Sequence, residues 1–71
     1  MSDCILKFKE RMKEVRLKNG LTQKQLAQVL NTSPSRISAL ENGRVNPNLR
    51  LVRNLCKYFQ ITANYLLGLE D

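Results

Sequence analysis

Apolar residues recur along this chain at spacings of three and four, with polar residues between them. Ile5, Phe8, Met12 and Val15 follow that rhythm and predict an amphipathic helix from about residue 3 to residue 18. Thr22 is a good N-cap for a second helix carrying Leu26, Ala27, Val29 and Leu30. Ser33 starts a third, spanning about 33–42, with Pro34 in its first turn and Ile37 and Leu40 facing inward. Asn48 (or Asn46) opens a fourth with Leu49, Val52, Leu55, Cys56 and Phe59. Thr62 caps a last short helix with Tyr65, Leu66 and Leu67. Gly20, Gly43 and Gly68 each follow one of these segments, where glycine ends helices by taking the left-handed conformation. No segment alternates as a half-buried strand must. The expectation is an all-α fold, a compact five-helix bundle forming a single domain over residues 1–71. Its core should be Ile5, Phe8, Met12, Val15, Leu21, Leu26, Leu30, Ile37, Leu40, Val52, Leu55, Phe59, Ile61 and Leu66, with Cys56 packing as an inert thiol.

Only Asn31 and Thr32 separate Leu30 from the cap at Ser33. A connection that tight cannot lay two helices antiparallel, so they should cross steeply as a helix-turn-helix. Asparagine suits the turn because it tolerates positive φ. With Ile37 and Leu40 buried, a rotation of about 100° per residue puts Ser35, Ala39 and Asn42 on the outward side, flanked by Arg36 and Ser38. These side chains are mostly small, so a partner surface can approach the backbone closely. An arginine beside small hydroxyls suits a major groove, where the guanidinium bridges guanine O6 and N7. A serine-rich solvated face is the competing reading of the same residues.

Charge and composition narrow the classes. Twelve Lys and Arg against six Asp and Glu give a net charge of +6. That balance favours an anionic partner, nucleic acid above a membrane surface, although a soluble domain can simply be basic. Histidine is absent, and Cys4 and Cys56 are too far apart for a zinc ribbon or redox pair. There is no clustered carboxylate pair and no phosphate-binding glycine loop. An enzyme is therefore not expected, nor a metal, a cofactor or a small-molecule ligand. No apolar run approaches a membrane span or a signal peptide, so the expected compartment is the cytoplasm.

The stretch QKQLAQVLNTSPSRISALEN, residues 23 to 42, resembles the helix-turn-helix of the phage repressor and Cro-like family, the xenobiotic-response-element class of transcriptional regulators. The wider pattern is similar too: Arg16, then NGLTQKQLA, SRISALENGR, NPNLRLVRNLCKYFQIT and NYLLGL, covering about residues 5 to 69. The resemblance implies a compact five-helix repressor-like DNA-binding domain whose third helix reads the major groove of double-stranded DNA. It makes Ser35, Arg36 and Ala39 the base-reading candidates. Gln23, Asn42 and Arg44 become phosphate contacts, with Lys24 and Ser38 as weaker ones. Arg16 and Glu41 are implied to form a structural ion pair that fixes the third helix. The sequence departs from the family at Asn31, where glycine is usual, at Thr32, often apolar, and at Pro34, which lacks a side-chain donor.

Two functions follow. The first is a sequence-specific regulator, expected to be a repressor, binding as a homodimer through Tyr58, Tyr65, Leu67 and Leu69. The second is a protein-interaction or antitoxin-type adaptor module on the same fold. Acidic residues on the outward face of the third helix would favour the second, and none is present.

Overall fold

In the computed structural model the backbone is described for residues 3 to 69 and the side chains for residues 7 to 69. Five helices run in order: α1 (Asp3–Lys18), α2 (Gln23–Val29), α3 (Pro34–Glu41), α4 (Leu49–Phe59) and α5 (Ala63–Leu66). There is no strand among the described residues. The predicted all-α, five-helix class is the observed one.

Four of these helices have 4 to 11 residues, too few to persist alone in water. Their starts are fixed by side chains. Thr22 Oγ1 accepts from the Gln25 N–H at 3.0 Å, and Gln25 Oε1 accepts in return from the Thr22 N–H at 2.9 Å, completing a capping box. Ser33 Oγ accepts from Arg36, Asn48 Oδ1 from Leu51, and Thr62 Oγ1 from Tyr65, at 3.2, 2.8 and 3.0 Å. Asn48 rather than Asn46 therefore opens α4. Each such cap contributes about 1 kcal/mol.

The ends follow one rule. All five helices close with an N–H reaching back to the carbonyl five residues earlier: Leu21 to Arg16, Thr32 to Ala27, Arg44 to Ala39, Ile61 to Cys56 and Leu69 to Asn64. The residue before each donor has positive φ. It is glycine three times, Asn31 (φ 55°) after α2 and Gln60 (φ 56°) after α4. Asn31 thus meets its expectation, whereas nothing in the sequence marked Gln60.

Phe8, Met12, Leu26, Ala27, Ile37, Leu40, Leu51, Leu55 and Leu66 form the buried core, with Val15 buried beside it. Leu21, Leu30, Val52, Cys56, Phe59, Ile61 and Leu67 pack against its rim. Ala27 and Leu51 were not expected there, and the expected Ile5 lies outside the described side chains. Leu49, read as part of the apolar face of α4, is instead 89% exposed, because Leu51 and Leu55 define the inward side. Cys56 is half-buried, and burial pushes its thiol pKa up, as an unreactive thiol requires.

The packed pairs are α2 with α3, α1 with both α3 and α5, and α4 with α5. Helix α1 therefore stands between the helix-turn-helix and the C-terminal pair. Tyr65 ties α5 to α1: its hydroxyl donates to Glu14 Oε1 at 3.1 Å, and Arg11 sits 4.3 Å from its ring centre.

Candidate nucleic-acid interface

The frame of the site is one buried carboxylate. Arg16, at the end of α1, donates from Nε to Glu41 Oε2 at 2.7 Å and from Nη2 to Oε1 at 3.1 Å, a two-point pair. Its Nη1 donates to the Leu21 carbonyl at 2.8 Å, fixing the loop that leads into α2. Gln23 Nε2 donates to Glu41 Oε1 at 3.2 Å. The end of α1, the start of α2 and the end of α3 are thus locked through Glu41, with side-chain exposures of only 9% for Arg16 and 3% for Glu41. The inclusion of Gln23 in this network was not anticipated: its side chain is half-buried and occupied, rather than free in solvent.

On the outer side of α3, Ser35, Ser38 and Ala39 line a shallow groove with Arg44 and Val45. Ser35 is exposed, and Ser38 and Ala39 are half-covered. Asn42 Nδ2 donates to Ser38 Oγ at 3.3 Å, which holds the amide along the helix edge. Arg44 is carried to that edge by the turn at Gly43 and is exposed. Lys24 is also exposed, on α2. Ser35, Ala39, Arg44 and Ser38 are therefore brought together, with Asn42 beside them.

Arg36 is not in that groove. It lines a separate polar cleft on the other flank of α3, between the α2–α3 turn and the start of α4, with Asn31, Thr32, Asn48, Arg50 and Asn54. Sequence reasoning missed Arg50 and Asn54. Their i,i+4 spacing on α4 is the signal that places them on one stripe.

Beyond α1 the exposed charge of the described residues is one-signed. Between residues 17 and 69 the sole acid is Glu41, buried against Arg16, while Lys18, Lys24, Arg36, Arg44, Arg50, Arg53 and Lys57 are all exposed. A surface of that kind attracts polyanions, and the exposed carboxylates among the described residues, Glu10 and Glu14, both lie on α1.

The apolar residues expected at a dimer contact divide. Tyr65 and Leu67 serve the fold itself, whereas Tyr58 and Leu69 are 51% and 63% exposed. No group of metal-ligating side chains exists among the described residues, and no helix of the structure is long and apolar enough to cross a membrane.

A family model described as helix-turn-helix matches residues 12–66. The chain belongs to the phage repressor and Cro-like helix-turn-helix family of transcriptional regulators. Several helix-turn-helix regulators are similar to it. The transcriptional activator BcrR of Enterococcus faecalis is 35% identical over 93% of this chain and 32% of its own length. The regulator DdrOP3 of Deinococcus deserti is 38% identical over 92% of this chain and 51% of its own length. The chain thus spans a third to a half of those two relatives. It spans 97% of the regulator MJ0272 of Methanocaldococcus jannaschii, at 33% identity over 90% of this chain. Membership in this helix-turn-helix family carries DNA binding as the general property of the fold.

Proposed function

We propose that this helix-turn-helix domain binds duplex DNA sequence-specifically as a homodimer, with α3 in the major groove, and represses by occupying its operator. The observation that carries this reading is the site's asymmetry. Small side chains line the groove beside α3, exposed basic residues flank it, and Glu41, the carboxylate of α3, is buried. Ser35 and Ala39, which line that groove, are the residues to meet a base edge and a thymine methyl. Lys24, Asn42, Arg44 and Ser38 flank the groove for phosphate contacts. Gln23 contributes by fixing the start of α2, whose first-turn N–H groups suit a phosphate.

Spacing constrains how such a dimer is built. Two recognition helices must stand about 34 Å apart to enter successive major grooves. The molecule is 27 Å in its longest extent, so the two copies must meet through sides remote from α3. The α4–α5 side offers Leu49, Val52, Cys56 and Ala63 along one apolar groove, with Tyr58 exposed elsewhere on α4 and Leu69 exposed after the end of α5. In this reading the contact centres on that groove, beside the Tyr58 and Leu69 that the sequence suggested.

Titration of duplex DNA at several salt concentrations tests the reading. Affinity should fall steeply as salt rises, with a log–log slope of about −0.9 per phosphate contacted. Binding that ignores salt, or no binding, would leave the protein-interaction module as the better account.

A further inference from the structure

The cleft that holds Arg36 has a chemistry of its own. Arg36 comes from the first turn of α3 and Arg50 from the first turn of α4, so two guanidinium groups share one concavity. Both side chains are exposed, and neither makes a hydrogen bond or an ion pair with another described residue. The other polar lining is supplied by Asn31, Thr32, Asn48 and Asn54, and no carboxylate takes part. Asn48 uses its Oδ1 to cap α4, accepting from the Leu51 N–H at 2.8 Å, so its amide N–H groups remain as donors. The cleft is thus rich in donors and carries two uncompensated positive charges. A ligand that fits must be anionic and supply acceptors, and planar guanidinium forks match tetrahedral oxyanions well.

We infer that this cleft is a phosphate site, with Arg36 and Arg50 as its two charged arms. The assignment moves Arg36 from reading bases to holding a phosphate group, because the groove lined by Ser35 and Ala39 lies on the other flank of α3. The phosphate can come from a DNA strand, in which case the inference rests on the DNA-binding reading above. It can also come from a free phosphate-bearing molecule. In either case one phosphate spans the start of α3 and the start of α4.

The test uses Arg36→Ala, Arg50→Ala and the double variant. Since both side chains are exposed and bond to no other described residue, the melting temperature of each should match that of the parent. On duplexes selected by the parent protein, each variant should bind all sequences more weakly by a common factor. Each should also have a salt slope no steeper than the parent's, and the double variant one shallower by about one rather than two, since both arms hold one phosphate. Inorganic phosphate is titrated in parallel at constant ionic strength, following the side-chain amide resonances of Asn31 and Asn54. Unchanged slopes together with saturable phosphate shifts, lost in the double variant, would identify a free phosphate as the ligand. Unchanged slopes and no such shifts would overturn the site. So would an Arg36→Ala variant that relaxes preference at one base pair while keeping the parent slope. If the parent itself shows no salt-dependent DNA binding, the DNA reading fails, and the phosphate titration decides the cleft by its own outcome.

Discussion

Gln60 is the residue whose conformation is least suited to its type. It holds φ 56° and ψ 46° at the end of α4, a region that disfavours side chains other than Asn, Asp and Gly by about 1–2 kcal/mol. Gln60→Gly should remove that strain, partly offset by the freedom glycine gains in the unfolded chain. The expected net gain is about 0.5 kcal/mol, read as a rise in Tm of a few degrees in thermal denaturation; a fall in Tm would contradict it. Gly68 makes the converse case. A Cβ there would meet Cβ and Cγ of Lys7 at 2.5 Å, while one at Gly20 would meet nothing, and both glycines have φ near +70°. Gly68→Ala should therefore lower Tm well beyond Gly20→Ala, which loses the backbone term alone. Equal losses would show that the approach of α5 to α1 is not tight. Glycine positions were legible because glycine punctuates helices wherever it occurs. Gln60 was not, since its conformation is imposed by the chain closing α4 onto Ile61 rather than by its own side chain.

At the scale of the elements, the short helices depend on what joins them. Arg16 and Glu41 join three, and the pair is nearly sealed from water. Removing one partner leaves the other charge buried, a loss of about 3–5 kcal/mol for a fully buried pair. Arg16→Ala should then lower Tm by 10 °C or more, on the order of 4–8 °C per kcal/mol, and weaken DNA binding with it. A parent-like Tm would remove this pair from the account. The double variant Arg16→Met, Glu41→Leu, with apolar side chains in the same space, should recover much of the Tm. Helix starts were readable because Thr22, Ser33, Asn48 and Thr62 bond locally, within three residues of themselves. Contacts made across the fold were not readable from local pattern. The bond from Gln23 to Glu41 spans 18 residues, and the cleft joining Arg36 to Arg50 exists only once α4 is docked. The Arg16–Glu41 pair lies 25 residues apart and was suggested by family resemblance alone.

For the whole molecule, the two faces carry opposed chemistry. The α3 side presents basic and small polar groups, and the α4–α5 side presents Leu49, Val52, Cys56 and Ala63 between Arg53 and Lys57. In a two-fold dimer those basic rims approach each other, so salt should strengthen self-association while weakening DNA binding. Sedimentation at low and high salt checks the first half, and Leu49→Glu should shift the protein toward monomer without changing its Tm. Arg44→Ala should weaken every DNA site by a similar factor, because a phosphate contact carries no direct sequence information. The central claim, sequence-specific reading by a dimer, is tested most directly by selecting bound sites from a random duplex library. The account predicts enrichment of an inverted repeat with half-site centres about 10–10.5 base pairs apart. A selected pool with no common sequence, or with single unpaired sites, would contradict it.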